Sequence, residues 1–273
     1  MYQLSAVIIT FNEEKNIGRC IESAKRVADE VIVLDSFSTD NTVEIARNLN
    51  AIIYQEKFRG YIGQKNLAIQ LASHHYILSL DADETLDEQL VSTILNAKKS
   101  FLFRAYSMNR CTCYCSHFIR HGLWYPDKKI RLFDRRVAKW GGINPHDKIE
   151  MNKGFVISHL HGDILHYSFN TPEDLIWQNN RMSSIAAASL YASGRRSSLF
   201  KMLMHPFWAF INGYLFKLGF LDGIDGLTIA INTSHQVFLK YNKLYRLQKT
   251  KRKPAASMVN PVLAETRPAV GDN

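Results

Sequence analysis

Short apolar runs alternate with amphipathic segments through the first hundred residues of the chain. Four of these runs have the length and continuous hydrophobicity of strands buried in a parallel sheet: residues 5–10, 30–35, 51–54 and 76–80. Between the first two runs, apolar residues recur at helical spacing at Ile17, Cys20, Ile21 and Ala24. The resulting βαβαβαβ order predicts an α/β fold whose sheet is covered by helices on both faces.

The pattern changes after residue 100. Residues 101–106 and 129–133 predict two further strands, joined by irregular segments rich in Trp, His and Gly. Helical spacing then returns in three segments: residues 172–191, 199–218 and 224–247. The last twenty residues contain three prolines and little apolar periodicity, and they predict a disordered tail.

Charge is distributed unevenly along the 273 residues, whose net charge is +9. The first hundred residues hold 10 basic and 14 acidic side chains, whereas residues 195–253 hold 11 basic and two acidic ones. This asymmetry predicts a soluble front domain followed by a basic extension that binds a surface. No apolar run approaches the ~20 residues that cross a bilayer. With four cysteines and no leader-like start, we expect a reducing cytoplasmic location.

The run that ends in Asp81-Ala82-Asp83 contains the strongest single chemical signal. Because side chains alternate along a strand, Asp81 and Asp83 are expected to share a face, where their oxygens would suit a hard divalent cation bound to a substrate phosphate. An acidic turn or helix start is the alternative interpretation.

Polar residues also follow the first two predicted strands, as Thr10, Asn12 and Glu13 and as residues 35–42. Ligands bind at this carboxyl edge in open α/β sheets, although Asp40 or Asn41 is equally suited to capping a helix. The chain has neither a G-x-G-x-x-G nor a G-x-x-x-x-G-K-[ST] sequence, which argues against a dinucleotide oxidoreductase and a P-loop nucleotidase.

Four ordered motifs resemble those of family 2 glycosyltransferases with the GT-A fold: residues 7–13, 33–40, 63–68 and 80–84. Three later motifs resemble a subgroup that acts on lipopolysaccharide core and related cell-surface glycans: residues 122–127, 131–133 and 146–147. Residues 219–227 also resemble that subgroup. The resemblance implies a mostly parallel central sheet with flanking helices, forming a GT-A catalytic domain over residues 1–170. A helical extension over 171–248 and a disordered tail over 249–273 would follow.

The resemblance implies an inverting transfer of a hexose, such as glucose, from a nucleotide diphosphate sugar, most simply a UDP-sugar. Thr10, Asn12 and Glu13 would line the nucleoside pocket, and Asp35 would accept a hydrogen bond from the base. Asp83 would bind Mg²⁺ or Mn²⁺.

The same resemblance places Asp81 nearer the ribose and donor sugar, or beside Asp83 on the metal. Arg131 would neutralise the leaving diphosphate. Arg59 and Lys65 are further candidates for that role, or they are ordinary solvated basic residues. His166 is either a third metal ligand, a diphosphate contact or a structural histidine.

An inverting transfer needs a general base, and the His146-Asp147 motif implies Asp147. The subgroup more often has His-Glu there, so the shorter carboxylate is a departure. Asp127 is the competing base, and its alternative role is that of a turn residue after Pro126.

The aromatic stretch at residues 202–218, flanked by basic residues, predicts contact with a membrane interface, with core packing as the alternative. We find no nucleic-acid-binding module. The expected function is metal-dependent sugar transfer to a cell-envelope glycan or glycolipid at the inner face of the cytoplasmic membrane. Transfer to polyprenyl phosphate, or non-catalytic binding of nucleotide sugar or nucleic acid, remain alternatives.

Overall fold

The computed structural model describes residues 2–143 and 146–249. Its strands are β1 (Leu4–Thr10), β2 (Glu30–Asp35), β3 (Ile52–Gln55), β4 (Tyr76–Asp81), β5 (Glu84–Leu86), β6 (Ala105–Tyr114), β7 (His117–Phe118), β8 (Asp127–Asp134), β9 (Ala138–Ile143), β10 (His146–Met151) and β11 (Ile157–Phe169). Its α-helices are α1 (Ile17–Lys25), α2 (Thr42–Asn48), α3 (Tyr61–Leu71), α4 (Glu88–Lys98), α5 (Pro172–Ala192), α6 (Leu199–Ile211) and α7 (Gly223–Lys249).

The central sheet has the strand order β3-β2-β1-β4-β8-β6-β11-β5. Neighbouring strands are parallel from β3 to β4, as the apolar runs predict, and β8 lies antiparallel to both β4 and β6. In this register Thr10 is opposite Asp35 and Ile9 is opposite Asp81. The carboxyl ends of β1, β2 and β4 therefore meet at one edge, and the predicted α/β fold is confirmed as a mixed sheet with flanking helices.

Alternate residues of the parallel strands enter two separate apolar layers. Ala6 and Ile8 pack with α1 and α4 on one face of the sheet, whereas Val7 packs with Ala68 of α3 on the other. Both layers are almost fully buried, as expected for strands covered on both faces.

The strand predicted over residues 101–106 is wrong over its first four residues. Phe101 has a φ of 39°, and the following residues are irregular until β6 begins at Ala105. Phe101 is apolar because it packs against the sheet: its ring stacks on that of Tyr76, at the start of β4. An aromatic side chain can fill the core from a turn as well as from a strand.

The structure also corrects the expectation that Asp81 and Asp83 share a strand face. β4 ends at Asp81, and Ala82 and Asp83 form the turn into β5. Strand alternation therefore does not determine where the Asp83 side chain points.

Internal contacts divide the chain into two units. The first comprises the described residues up to Cys113 together with Tyr125–Ser168, and it contains most of the sheet. The second comprises Tyr114–Trp124 and the residues from Phe169 onward. The single boundary that the sequence predicts near residue 170 stays a prediction. The residues predicted to form a disordered tail lie outside the described part of the chain, apart from Lys249, which ends α7.

Within the second unit, α5 and α6 both pack against α7. α5 begins with a capping box, in which Thr171 and Asp174 satisfy each other's backbone N–H groups. The predicted helix over 199–218 ends earlier, because α6 gives way to a π-helical turn at Asn212–Phe216 and a 3₁₀ turn at Gly219–Asp222. Asp222 is buried and accepts hydrogen bonds from the backbone N–H groups of Arg120 and His121.

No described helix is long and apolar enough to cross a membrane. All four cysteines lie among the described residues and are thiols: Cys20, Cys111 and Cys113 are buried, and Cys115 is exposed.

Candidate active site

The loops after β1 and β2 are joined by side-chain hydrogen bonds at the carboxyl edge of the sheet. Asn12 has a φ of 54°, a left-handed conformation that asparagine tolerates better than most residues. The side-chain oxygen of Asn12 accepts a hydrogen bond from the backbone N–H of Thr39 at 2.8 Å. The backbone N–H of Asn12 donates to the Ser38 hydroxyl, also at 2.8 Å. Glu13 is held similarly, because its N–H donates to the Thr42 hydroxyl at 2.8 Å.

Asp35 is fully buried at the end of β2. Its carboxylate accepts from the backbone N–H of Ser38 and from the Gln55 amide, both at 3.0 Å, and also from the Ser38 hydroxyl. The Thr10 hydroxyl is buried and has no hydrogen-bond partner among the described residues. The structure thus brings the four residues predicted for the nucleoside pocket to one edge of the sheet. The hydrogen bonds of Asp35 to Ser38 hold the loop after β2.

A compact cluster of charges surrounds the end of β4. The ammonium of Lys65, on α3, lies 2.9 Å from Asp81 and 2.8 Å from Asp147. Arg131, on β8, contacts the second oxygen of Asp81 at 2.9 Å and the buried carboxylate of Glu84 at 2.7 Å. Both cations and Glu84 are almost fully buried, whereas the side chains of Asp81 and Asp147 are 27% and 15% exposed.

The indole of Trp140, on β9, lies beside both cations of this cluster. The Lys65 ammonium is 4.3 Å from the centre of the indole ring and the Arg131 guanidinium is 5.4 Å from it. Such cation–π contacts favour the positive charges where water does not reach them.

The cluster shifts the pKa of Asp81 and of Arg131 in the direction that favours the charged form. Burial alone would raise the pKa of Asp81, but Lys65 and Arg131 outweigh it and hold that pKa far below its usual range. Burial would likewise lower the pKa of Arg131, but Glu84 and Asp81 raise it. Asp81 and Arg131 therefore stay charged across the physiological pH range.

Asp83 and His166 form a second, smaller pair. The His166 Nε2 atom lies 3.2 Å from the Asp83 carboxylate and 3.2 Å from the Ser168 hydroxyl. Burial opposes ionisation of Asp83, yet His166 lowers its pKa below the usual range. β11 fixes this arrangement, because the N–H of Tyr167 donates to the Asp83 carbonyl at 2.9 Å.

The described residues contain no group of three His, Cys, Asp or Glu side chains placed to bind one metal ion. The predicted set of Asp83, Asp81 and His166 is therefore not assembled, because both oxygens of Asp81 face cations. Asp83 and His166 do suit a metal ion whose remaining ligands come from the substrate. Mg²⁺ is usually held by one or two carboxylates together with phosphate oxygens and water, and a 3.2 Å separation lets both side chains contact one ion.

The two candidate bases have different surroundings. Asp147 lies in the Lys65 cluster, whereas Asp127 is held by Arg110 at 2.9 Å and Lys129 at 3.0 Å. Arg110 reaches towards the cluster, with 3.9 Å between its guanidinium and Glu84. The predicted donor residue Arg59 is exposed and pairs with Glu56 at 3.2 Å, so the structure does not bring it into the cluster.

Sequence reasoning did not single out Glu84, Trp140 or Arg110. Glu84 follows Asp83 directly, and a third acidic residue in that motif could have identified it as part of the site. Trp140 and Arg110 lie in segments without a recognisable motif, and only the folding of β6 and β9 brings them near β4.

Residues 5–158 match the family described as Glycosyl transferase family 2. The chain belongs to this family. A glycosyltransferase of Rickettsia typhi is 33% identical over 272 residues, which cover 94% of this chain and 91% of that protein. The lipopolysaccharide core biosynthesis glycosyltransferase LpsC of Rhizobium meliloti is 28% identical and covers 92% of this chain and 95% of its own length. A crystal structure of S. aureus TarS 1–349 in complex with UDP covers 92% of both chains at 16% identity, with a TM-score of 0.46.

The family match confirms that this glycosyltransferase is an enzyme of the predicted class. The likeness to LpsC along almost the whole chain agrees with the resemblance of the later motifs to the lipopolysaccharide-core subgroup.

Proposed function

We propose that this family 2 glycosyltransferase moves a hexose from a UDP-sugar, such as UDP-glucose, to a lipopolysaccharide-core or related cell-envelope acceptor, with inversion at the anomeric carbon. One observation carries the proposal. Lys65 contacts both Asp81, at the donor edge of the sheet, and Asp147, the candidate base. A single buried side chain therefore links the residues assigned to the donor with the residue assigned to the acceptor. The name of the relative LpsC supports the acceptor class.

On the donor side, Thr10, Asn12, Glu13 and Asp35 line the nucleoside site in this proposal. Their hydrogen bonds fix the loops after β1 and β2 before the donor arrives. A preformed site spends less binding free energy on ordering its own loops.

Asp83 and His166 are the residues that would hold Mg²⁺ or Mn²⁺. The metal would supply positive charge to the diphosphate as it leaves. Arg131 adds a fixed positive charge at the same edge, because Glu84 and Asp81 hold its guanidinium in one orientation.

In the transfer, the acceptor oxygen forms a bond to the anomeric carbon while the bond to the diphosphate oxygen breaks. The electron pair of the broken bond leaves with the nucleotide diphosphate, and the acceptor proton goes to Asp147. If the donor is α-linked, the product is β-linked.

The assignment of the base is tested with Asp147→Asn and Asp127→Asn, which remove charge and keep the size of the side chain. We expect Asp147→Asn to lower kcat by about 10²- to 10⁴-fold, the usual contribution of a general base, with nucleotide binding retained. Asp127→Asn is the matched control, since both residues are partly buried carboxylates with basic partners. Asp147 pairs with Lys65, and Asp127 pairs with Arg110 and Lys129. The reverse ranking of the two variants would assign the base to Asp127.

The same variants distinguish the polyprenyl phosphate alternative. A phosphate acceptor is already ionised and has little need of a base. Full turnover by Asp147→Asn with polyprenyl phosphate, and none with a glycan acceptor, would favour that alternative. Nucleotide-sugar binding without turnover on any acceptor would favour a non-catalytic binding protein.

The metal is tested with Asp83→Ala. We expect metal-dependent turnover to disappear while the far-UV circular dichroism spectrum is unchanged. Undiminished turnover would remove the metal assignment. The donor is identified by measuring thermal stabilisation with a panel of nucleotide sugars and Mn²⁺, because a ligand that binds the native state raises its stability.

A further inference from the structure

Exposed apolar side chains are concentrated in one part of the second unit. The described residues include 24 exposed large hydrophobic side chains, and 12 of them lie between Leu199 and Ile224. We call this set the α6 surface: Leu199, Phe200, Leu203, Met204, Phe207, Trp208, Leu215, Phe216, Leu218, Phe220, Leu221 and Ile224. Isolated apolar residues are ordinary at a protein surface, but a cluster of this size marks a binding surface.

The helical part of this surface has a regular spacing. Phe200, Leu203, Phe207 and their neighbours recur every three to four residues along α6, so they form one stripe. The opposite side of the helix faces α7, where Met202 is buried and the Pro206 carbonyl accepts a hydrogen bond from Ser234 at 2.9 Å. The stripe is therefore not the side that attaches α6 to its own unit.

Along residues 195–221, which include the whole stripe, the charged residues all have one sign. No acidic residue occurs between Arg195 and Leu221, whereas four basic residues do: Arg195, Arg196, Lys201 and Lys217. All four are exposed. An apolar stripe whose flanking charged residues are basic is complementary to a bilayer that has anionic head groups.

We propose that the α6 surface inserts into the interfacial layer of an anionic lipid bilayer. The aromatic and aliphatic side chains would lie among the upper acyl chains, and the four basic residues would contact the phosphates. The helix would lie in the plane of the membrane, in keeping with the absence of a spanning helix among the described residues. This gives a residue-level basis to the expected membrane contact and does not depend on the proposed transfer reaction, because binding to lipid needs neither donor nor acceptor.

The test is co-sedimentation of the full chain with sucrose-loaded vesicles of phosphatidylcholine alone, or with about a third of phosphatidylglycerol. Each basic residue near an anionic surface contributes to binding, so we expect at least about tenfold stronger partitioning to the anionic vesicles. Raising the NaCl concentration should weaken it, because salt screens the charges of the surface.

The variant Phe200→Glu/Phe207→Glu tests the stripe. Phe200 is 73% exposed and Phe207 is 61% exposed, so the fold tolerates the charges, while the acyl region does not. We expect at least about a tenfold loss of partitioning. Ile176→Glu is the matched control, because Ile176 is a 57% exposed aliphatic residue on α5, outside the α6 surface. Its partitioning should equal that of the unsubstituted chain.

Three results would overturn the proposal. The first is failure of the chain to sediment with anionic vesicles, and the second is equal sedimentation of the double variant and the Ile176→Glu control. The third is a dimer, detected by light scattering, that the double variant abolishes, with no vesicle binding by either protein. That last result would assign the α6 surface to a second copy of the chain.

Discussion

The buried ion pair between Glu84 and Arg131 allows a quantitative prediction. Glu84 is fully buried, and its carboxylate lies 2.7 Å from the almost fully buried Arg131 guanidinium. Glu84→Gln removes the charge but keeps the shape, and the amide oxygen can still accept from the Asp81 N–H, now at 3.0 Å from Glu84. The variant therefore isolates the effect of leaving Arg131 with one partner fewer.

Breaking a buried ion pair by removing one partner costs about 3–5 kcal/mol. Arg131 keeps its contact with Asp81 at 2.9 Å, so we expect a loss near the lower end, about 3 kcal/mol. In a protein of this size, each kcal/mol lowers Tm by about 2–4 °C, which gives a decrease of about 6–12 °C.

The assay is thermal unfolding followed by circular dichroism and calorimetry at pH 7. Glu88→Gln is the matched control, because Glu88 pairs with Arg26 at a similar distance of 2.6 Å but is 84% exposed. Exposed ion pairs contribute little to stability, so the Tm of this variant should barely change. Equal Tm values for the two variants would refute the argument that burial makes the Glu84 pair important.

Three further predictions concern stability. The pKa of the buried Asp134 lies below its usual range because hydrogen bonds from two arginines outweigh its burial. The stabilisation that the Asp134 carboxylate provides is therefore fully present above the carboxyl pKa of the unfolded chain. It is lost as the pH falls through the pKa of Asp134 in the folded protein. Asp134→Asn should cost about 1–3 kcal/mol at pH 7 and progressively less below about pH 4 in urea titrations; a constant difference would contradict this. Gly162→Ala should lower the urea midpoint more than Gly154→Ala, because both glycines have positive φ but only at Gly162 would a Cβ overlap the backbone of Leu90; equal midpoints would exclude the steric explanation. Trp140→Ala should cost about 3–5 kcal/mol, and Trp140→Phe clearly less, since phenylalanine keeps a ring beside the two cations. A melting curve for Trp140→Phe that matches Trp140→Ala would count against the cation–π contacts.

The parallel half of the sheet was predictable because of its burial. Residues of β1, β2 and β4 are covered on both faces, so each strand is visible as a continuous apolar run, and its polar end marks the ligand edge. The antiparallel β9 and β10 were missed, since Lys139, Lys148 and Glu150 interrupt any apolar run. Strands that are half exposed carry a weaker sequence signal.

The candidate site was predictable in its residues but not in their pairing. Lys65, Asp81 and Arg131 were all identified from motifs, yet no motif predicts that Lys65 reaches a residue 82 positions away. Asp147 lies on β10, whose place beside β9 sets this contact. Long-range ion pairs follow from the topology of the antiparallel strands, which was the part of the fold that the sequence pattern described least well.

The four cysteines can be used to check whether each variant is folded. Only Cys115 is exposed, whereas Cys20, Cys111 and Cys113 are buried, and burial raises the pKa of the Cys20 thiol well above its ordinary value. A thiol reagent should therefore modify one site on the native chain and four on the unfolded chain, because the thiolate is the reactive form. Counting labels by mass spectrometry would separate a variant that lost an interaction from one that lost its fold.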